Sequence, residues 1–271
     1  MKNTYSALAF DVDGTLTPFA RFTVSKEMKQ SLQNIPLQVP LALCTGRPLD
    51  YAVHKIEELL EGAADFSVQK ARWTLLCDNG ASGYTWNAST QEYENFFAEP
   101  WPADIIEQDL LLTMLQEEFG SWTRLMAREF TMVVLCPKWM YRFPVLVHWY
   151  SAHLHRKVEK FFESWGLTGQ LCSQNSGLGN LIFSGKAGKG KAVEKWAKRL
   201  GVPTASIACV GDRPEPGGND EEFLSGKYGT AFTVGEATKN PQPYPVLDAQ
   251  GKAVRGPKGT QLFISQISLR I

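Results

Sequence analysis

The chain has 271 residues, which is enough to bury a large core as one big domain or two modest ones. It carries 28 basic and 28 acidic residues, so it offers no net field that would attract nucleic acid or an anionic membrane. No apolar run approaches the roughly 20 residues that a membrane-spanning helix requires, and residues 1–14 lack the apolar stretch of a secretory signal.

The cysteines favour a reducing compartment. The chain has five cysteines, at positions 44, 77, 136, 172 and 209, and they show neither CxxC pairing nor the spacing of metal ligands; four of the five lie in or beside apolar strand-like runs. We therefore expect reduced core thiols in a cytoplasmic protein. Nothing in the sequence indicates its oligomeric state.

Short apolar runs alternate with segments of helical period in the two outer parts of the chain. Apolar residues recur every three to four positions in the two predicted helices, residues 48–62 and 188–201. Strands alternating with helices, and apolar throughout, favour a parallel sheet with helices on both faces. These strands are predicted within residues 5–13, 39–46, 73–80, 206–212 and 229–235.

The middle of the chain has a different pattern and is rich in Trp, Phe and Tyr. Its predicted elements are antiparallel strands within 131–137 and 143–150 and helices within 102–120 and 151–166. We therefore predict a second, α+β unit over residues 82–183. It would be inserted into an α/β core made of residues 1–81 and 184–271.

Polar side chains follow the predicted core strands where each strand ends. Asp11 and Asp13 follow the first, and Thr45, Gly46 and Arg47 follow the second. The stretch GDRPEPGGND brings Asp212, Asn219 and Asp220 after another strand, and SGKAGKGKA precedes a helix. Because parallel strands place their carboxyl ends at one sheet edge, we expect these groups to converge.

Four carboxylates at one edge would repel each other and oppose folding unless their charge is compensated. A hard divalent cation bound by oxygens supplies that compensation, and Mg²⁺ suits a site with few carboxylates. The sequence therefore predicts a magnesium site, with Asp11 and Asp13 forming one half and Asp212 and Asp220 the other. Taken singly, each fragment could also be an ordinary turn or a helix cap.

These residues, in this order, resemble the haloacid dehalogenase superfamily of aspartate-nucleophile phosphotransferases. DVDGTLT (residues 11–17) is similar to the first motif of that family, TGR to the second and GDRPEPGGND to the fourth. The insert resembles the C2, type IIB cap of Cof-type sugar phosphatases, sucrose-phosphate phosphatase and phosphomannomutase. The resemblance implies a Rossmann-like core with helices on both sheet faces and an inserted α+β cap.

The resemblance also implies roles at the first two motifs. Asp11 would attack phosphorus, and Asp13 would act as acid and base while its backbone carbonyl reaches the metal. Thr45 would hydrogen-bond a phosphoryl oxygen, and Gly46 and Arg47 would belong to the substrate-binding set.

Further roles are implied for the last two motifs. Asp212 would bind Mg²⁺, Asp220 would hold the metal's waters or orient the lysine, and Asn219 would donate to the phosphate. Three lysines, Lys186, Lys189 and Lys191, compete for the third-motif position. Lys189, followed by Gly190 and KAVEKW, best matches the KG-x-A pattern of the type IIB family at the start of a helix, a position that adds N-terminal amides favouring an anion.

The chain departs from the common family pattern in its long fourth motif. The RPEPGGN stretch between Asp212 and Asp220 is similar to the loop of phosphomannomutase, whose second motif usually lacks TGR. The arginine-rich cap that grips a bisphosphate is not obvious, with Arg128 and Arg142 the nearest candidates. We therefore favour a magnesium-dependent phosphatase acting on a small phosphorylated metabolite, with a sugar phosphate preferred, over a phosphosugar mutase.

Two other classes of function stay open at this point. GKAGKGKA fits the spacing of a nucleotide-binding P-loop, but Ala192 stands where that loop needs Ser or Thr. A catalytically silent binding module on the same scaffold is the other alternative. Within the insert, Trp139, Arg142, His148 and Trp149 are candidate substrate contacts, although the tryptophans are more typical of core packing.

Overall fold

A computed structural model of the chain describes residues 4–19, 21–120, 123–237 and 242–270. The chain divides into two units. Unit 1 comprises Met1–Ala98, Gly188–Glu215 and Asp220–Ile271, and unit 2 comprises Glu99–Ala187 and Pro216–Asn219. Unit 2 is therefore inserted into unit 1, apart from a short loop contributed by the fourth motif.

An eight-stranded sheet forms the centre of unit 1, in the order β13-β12-β11-β2-β3-β4-β5-β6. Its strands are β2 Ala7–Asp11, β3 Leu41–Cys44, β4 Trp73–Cys77, β5 Ser82–Asn87, β6 Glu92–Ala98, β11 Ile207–Gly211, β12 Thr230–Thr233 and β13 Tyr244–Pro245. The pairs from β13 to β4 are parallel, and the β5–β6 hairpin extends the sheet antiparallel to β4. A separate parallel pair joins β1 Thr4–Tyr5 to β14 Ser268–Leu269.

Helices pack on both faces of the parallel part of this sheet. The helices of unit 1 are α1 Lys26–Gln33, α2 Leu49–Leu59, α3 Phe66–Ala71, α6 Lys189–Leu200 and α7 Gly256–Gln266. Alternate strand residues such as Leu8 and Phe10 share one core with side chains of α1, α2 and α7. On the other face the strands carry small residues such as Ala7 and Ala9, in one cluster with Trp196 of α6. Small strand residues leave room for this large side chain. The continuous burial predicted for the strands is confirmed for β2, β3, β4 and β11, whereas β12 alternates between half-buried and buried residues.

Unit 2 has its own sheet and its own hydrophobic core. Its four-stranded antiparallel sheet has the order β7-β8-β10-β9. The elements are β7 Arg124–Ala127, β8 Thr131–Leu135, β9 Leu171–Asn175, β10 Gly179–Ser184, α4 Gln108–Phe119 and α5 Pro144–Ser164. Side chains of both helices, including Leu111 and Val158, pack in one cluster with Met132 and Ile182 of the sheet. This is the α+β unit that the sequence predicts.

Two sequence predictions about the insert are wrong in detail. Residues 82–98 do not belong to unit 2, because they form the β5–β6 hairpin that hydrogen-bonds to β4, so the predicted boundary lies too early. Residues 143–150 are not a strand but lead into and begin helix α5. Pro144 stands at the first helical position, where its fixed φ favours a helix start and its missing N–H costs nothing.

Two further predictions concern the state of the cysteines and membrane-spanning helices. The cysteines are free thiols, and all but Cys172 are buried. Among the described residues, no helix combines the length and apolar character that crossing a bilayer demands.

Candidate active site

Three adjacent strands bring the predicted residues together at one edge of the unit 1 sheet. Strand β2 ends at Asp11, β3 is followed by Thr45, and β11 is followed by Asp212. These strands are neighbours in the order β11-β2-β3 and run parallel. Their carboxyl ends therefore lie side by side, as expected for a ligand site in an open α/β sheet.

The centre of the site is a cluster of three carboxylates around one ammonium group. Oxygens of Asp11, Asp212 and Asp220 all lie within 4.8 Å of one another. The Lys189 ammonium, at the start of α6, donates to Asp11 Oδ1 at 2.5 Å and to Asp220 Oδ1 at 2.7 Å. Lys189 is 1% exposed and Asp220 fully buried, so these ion pairs are shielded from water.

Both carboxylate oxygens of Asp220 accept hydrogen bonds from the protein. Its Oδ1 accepts from Lys189, and its Oδ2 accepts from the backbone N–H of Asp212 at 3.1 Å and of Arg213 at 3.3 Å. A single carboxylate therefore closes the long fourth-motif loop on itself and orients the lysine. This geometry favours the orienting role that the resemblance implies for Asp220.

Asp11 and Asp212 differ from Asp220 because each keeps a free oxygen. Asp11 Oδ2 and Asp212 Oδ1 are buried and have no hydrogen-bond partner within the part of the chain that the structure describes. Three carboxylates against one ammonium leave the cluster with a net charge of −2. Orphaned carboxylate oxygens and an unbalanced double negative charge fit a small divalent cation such as Mg²⁺ between Asp11 and Asp212.

The excess negative charge of the cluster shifts the pKa values of its members. Burial, followed by repulsion from Asp220, raises the pKa of Asp11 to about 7, against the attraction of Lys189. Burial, followed by repulsion from Asp11 and Asp220, raises the pKa of Asp212 well above its ordinary value. Burial alone would lower the pKa of Lys189, but Asp11 and Asp220 outweigh it and hold that pKa above its usual range. The lysine therefore stays charged, and a bound cation would favour the charged carboxylates.

A pH dependence of stability follows for the metal-free protein. Between about pH 4 and pH 7 the folded state holds a proton on Asp11 that the unfolded chain has lost, since the folded pKa is raised. We expect the free energy of unfolding to fall as pH rises through this interval and the Asp11 contribution to level off above pH 7. Urea unfolding at a series of pH values in chelator measures it.

Comparison with Asp11→Asn measures the contribution of this group together with its coupling to Asp212, whose pKa Asp11 helps to raise, because titrating residues outside the cluster affect both proteins alike. The variant should show a shallower decline than the natural protein over the same interval. Identical slopes in the two proteins would contradict the raised pKa of Asp11.

Asp13 does not join the carboxylate cluster through its side chain. Its Oδ2 accepts from Arg47 Nε at 3.3 Å, and its Oδ1 accepts from the Tyr51 hydroxyl at 3.4 Å. The Arg47 guanidinium also lies over the ring of Tyr51. Arg47, which we predict to bind substrate, is therefore paired with Asp13, and the Asp13 carboxylate is held apart from the groups that suit a metal.

The loop after β4 supports the second motif. Asn79 N–H donates to the carbonyl of Thr45 and Asp78 N–H donates to that of Arg47, both at 2.9 Å. Both supporting residues have positive φ, a conformation that Asp and Asn tolerate better than most residues. The Thr45 hydroxyl accepts from Arg47 N–H at 3.1 Å, so the turn containing Gly46 is fixed from both sides.

Gly14 allows the first and fourth motifs to approach each other. Its φ is +93°, and a Cβ there would lie 2.1 Å from Asp212 Oδ2. We expect Gly14→Ala to displace Asp212, to lower stability by about 1–3 kcal/mol through backbone strain, and to lower at least tenfold the Mg²⁺-dependent turnover that the motif resemblance implies. Thermal unfolding and steady-state kinetics measure the two effects.

Gly62→Ala is the matched control for this substitution. Gly62 also has positive φ, +74°, but no atom lies within 4 Å of a Cβ built there. It should therefore carry the backbone strain without the loss of turnover. Equal losses of turnover in the two variants would show that contact with Asp212 is not what Gly14 protects.

Other predicted site residues lie in unit 2. Asn219, the residue directly before Asp220, belongs to unit 2, where its backbone N–H donates to the carbonyl of Asn175 at 3.2 Å. Its contact with a phosphate stays a prediction. The tryptophans Trp139 and Trp149 do not pack in a core, since they are 49% and 59% exposed.

Sequence reasoning missed Tyr51 and Glu222. Tyr51 lies four residues after Arg47, in the first turn of α2, and no local pattern in the sequence marks it as a partner of Asp13. Glu222 accepts a hydrogen bond from Gly190 N–H at 3.2 Å, at the N-terminus of α6. A P-loop needs those amides for phosphate, and with Ala192 in place of a hydroxyl residue the structure does not support that alternative.

The fold is that of haloacid dehalogenase-like hydrolases. A haloacid dehalogenase-like hydrolase from B. subtilis superposes with a TM-score of 0.66 at 16% identity, over 96% of this chain and 99% of that one. The chain thus has the haloacid dehalogenase fold with a second unit inserted, as the resemblance of its motifs implies.

Two further solved structures share this fold. IMP-bound, N-terminally truncated IMP-nucleotidase from Plasmodium falciparum has a TM-score of 0.61 at 14% identity, over 97% of this chain and 68% of that one. Sucrose-phosphatase from Synechocystis, in complex with sucrose and phosphate, has a TM-score of 0.55 at 15% identity, over 88% and 85%. No protein-family profile matches the sequence, and no curated protein matches it either.

Proposed function

We propose that this protein is a magnesium-dependent phosphatase that hydrolyses small phosphorylated metabolites through an aspartyl-phosphate. One observation carries the proposal: the buried, unpartnered oxygens of Asp11 and Asp212 lie in one cluster with the Lys189 ammonium. A nucleophilic carboxylate, a cation site and a fixed positive charge are the parts that phosphoryl transfer from a monoester requires.

The proposed reaction has two displacement steps. In the first, a carboxylate oxygen of Asp11 forms a bond to phosphorus, the bond from phosphorus to the ester oxygen breaks, and Asp13 gives its proton to the leaving alkoxide. In the second, Asp13 takes a proton from water, the water oxygen bonds to phosphorus, and the bond to Asp11 breaks. Inorganic phosphate leaves, and both aspartates return to their starting states.

The other residues of the site would stabilise charge and fix geometry. Lys189 would neutralise charge on the transferring phosphoryl group while it holds Asp11 in place. Thr45 and the turn at Gly46 would donate to a phosphoryl oxygen. Mg²⁺ held by Asp11 and Asp212 would supply further neutralisation of the phosphate. Asp13, held by Arg47 and Tyr51 outside the cluster, stays available for proton transfer.

A small phosphorylated metabolite is the proposed substrate class, with sugar phosphates favoured. The solved structures that share the fold carry IMP in one case and sucrose with phosphate in another, both small molecules. As the resemblance implies, unit 2 would select the substrate. Its exposed side chains Trp139, Arg142 and Trp149 are candidates for that selection.

A phosphosugar mutase is the second candidate function. The long fourth-motif loop favours it, because seven residues separate Asp212 from Asp220, as in the phosphomannomutase-like pattern. A mutase would return the phosphoryl group from Asp11 to a sugar hydroxyl, whereas a phosphatase passes it to water. The two activities therefore differ only in which acceptor reaches the aspartyl-phosphate.

A panel assay on the purified protein tests the proposal. Phosphate release from an aryl phosphate, mannose and glucose 1- and 6-phosphates, sucrose phosphate and IMP is measured with Mg²⁺ and with chelator. We expect release that requires Mg²⁺, with a sugar phosphate as the best substrate. Interconversion of hexose 1- and 6-phosphates that depends on a bisphosphate activator would establish the mutase instead. Absence of both activities would leave a binding module.

A further inference from the structure

Lys189 of the third motif is the first residue of α6, and no side chain of the preceding residue caps this end of the helix. The helix begins at Lys189, and Gly188 before it offers no side chain to cap the first amides. Uncapped N–H groups at a helix start fray or need another acceptor. Because Lys189 is the first helical residue, the direction of its side chain depends on how firmly this turn is fixed.

Glu222 supplies the missing cap from outside the helix. Its Oε2 accepts from Gly190 N–H at 3.2 Å, and its carboxylate also accepts from Lys191 N–H and from the Tyr228 hydroxyl. A negative charge at a helix N-terminus also interacts favourably with the helix dipole. The carboxylate thus takes the place that a Ser or Asp cap would fill in an ordinary helix.

The two glycines of the motif are explained by this contact. A Cβ on Gly188 would lie 2.0 Å from Glu222 Oε2, and a Cβ on Gly190 would lie 2.3 Å from the Tyr228 ring. Gly188 also has φ of +151°, which few other residues adopt. The glycines that suggest a phosphate loop in the sequence instead make room for an internal carboxylate and an aromatic ring.

Glu222 lies in the same turn of chain as Asp220 and Phe223, which both contact the Lys189 ammonium. Asp220 accepts from the Lys189 ammonium at 2.7 Å, and the Phe223 ring lies 5.9 Å from it. The backbone N–H of Leu224 donates to the Asp220 carbonyl at 2.8 Å, which closes this turn. The segment 220–224 therefore contacts the Lys189 ammonium through Asp220 and the backbone of the next residue, Gly190, through Glu222.

We infer that Glu222 is a positioning residue for phosphoryl transfer, which caps α6 and thereby aims the Lys189 ammonium at Asp11. The inference rests on the proposed phosphatase function and adds a residue to it. Glu222 itself does not touch the carboxylate cluster in a described contact. It acts through the backbone of the two residues that follow Lys189.

Glu222→Ala tests the inference in the full-length protein. We expect kcat for an aryl phosphate to fall about 10- to 100-fold while KM changes less than threefold, because a misaimed lysine weakens the transition state more than the bound ester. Hydrogen exchange at the amides of Gly190 and Lys191 should quicken about tenfold. Assays are run well below the melting temperature of each variant.

Two further variants separate positioning from general damage. Glu222→Gln keeps an acceptor oxygen for the helix amides, so it should recover much of the lost kcat and also serves if the alanine variant does not fold. Glu221→Gln removes the same charge from the exposed neighbouring residue and should keep full turnover. Unchanged kcat in Glu222→Ala, or an equal loss in Glu221→Gln, would overturn the inference.

Lys189→Met distinguishes this failure from failure of the proposed function. If Lys189→Met is inactive while Glu222→Ala is fully active, the positioning role is wrong and the phosphatase proposal stands. If Lys189→Met keeps natural turnover, both the role of the lysine and the inference built on it are wrong.

Discussion

Asp11→Asn should abolish phosphatase turnover, lowering kcat by at least about a thousandfold. An amide oxygen is a far weaker nucleophile than a carboxylate, and the covalent intermediate depends on that oxygen. Asp220 cannot replace Asp11, since its Oδ1 and Oδ2 both accept protein hydrogen bonds, and the free oxygen of Asp212 would be used in holding the cation. Steady-state hydrolysis of the best substrate from the panel measures the effect.

Asp50→Asn provides the matched control. Asp50 lies in the first turn of α2 and is exposed, so the same exchange of atoms there should leave kcat within twofold of the natural protein. Trapping of labelled phosphate on the natural protein, but not on Asp11→Asn, would identify the covalent site directly. Retention of substantial turnover by Asp11→Asn would remove Asp11 as the nucleophile and with it the proposed mechanism.

Lys189→Met should impair both turnover and stability. Loss of a charge-stabilising donor at a transferring group typically costs 10²–10³ in kcat, and we expect a loss of that size. Asp11 and Asp220 would also lose the buried cation that contacts both, and breaking such a pair by removing one partner costs about 3–5 kcal/mol. Kinetics and urea unfolding at pH 8 measure the two losses.

Added Mg²⁺ separates these two effects of the lysine. It should restore part of the stability of Lys189→Met, because it supplies positive charge to Asp11, one of the two carboxylates that lose the lysine, without restoring kcat. The control is Lys198→Met on the same helix, whose side chain is 74% exposed and paired only loosely with Glu194 at 3.7 Å. Equal losses in the two lysine variants would mean that charge on the helix, rather than the contact with Asp11, is responsible.

The sequence predicted much of the candidate site because the signals lie at strand ends. Asp11, Thr45 and Asp212 each follow a continuously apolar run, and parallel strands bring such ends to one edge. The sequence also predicted the core strands and the helices over 48–62 and 188–201, because a buried element shows a regular spacing of apolar residues in its own sequence.

Other features depend on contacts that no local pattern encodes. Residues 82–98 join the core sheet by pairing with β4, and a strand's partner is not written in its own sequence. Residues 143–150, rich in Val, Trp and Tyr, favour a strand by composition, but they lead into the long helix α5, which packs with the unit 2 core.

The sequence by itself determined the α/β class, the inserted unit and the acids at the strand ends, because hydrophobic period and motif spacing are local properties. Only the tertiary structure decided which lysine meets Asp11, since the two residues are 178 positions apart and Nζ is held by hydrogen bonds to Asp11 and Asp220. It also decided that Asp220 accepts protein hydrogen bonds while Asp11 and Asp212 keep free oxygens. That division of labour among like carboxylates comes from burial and hydrogen bonding, which chain folding alone creates.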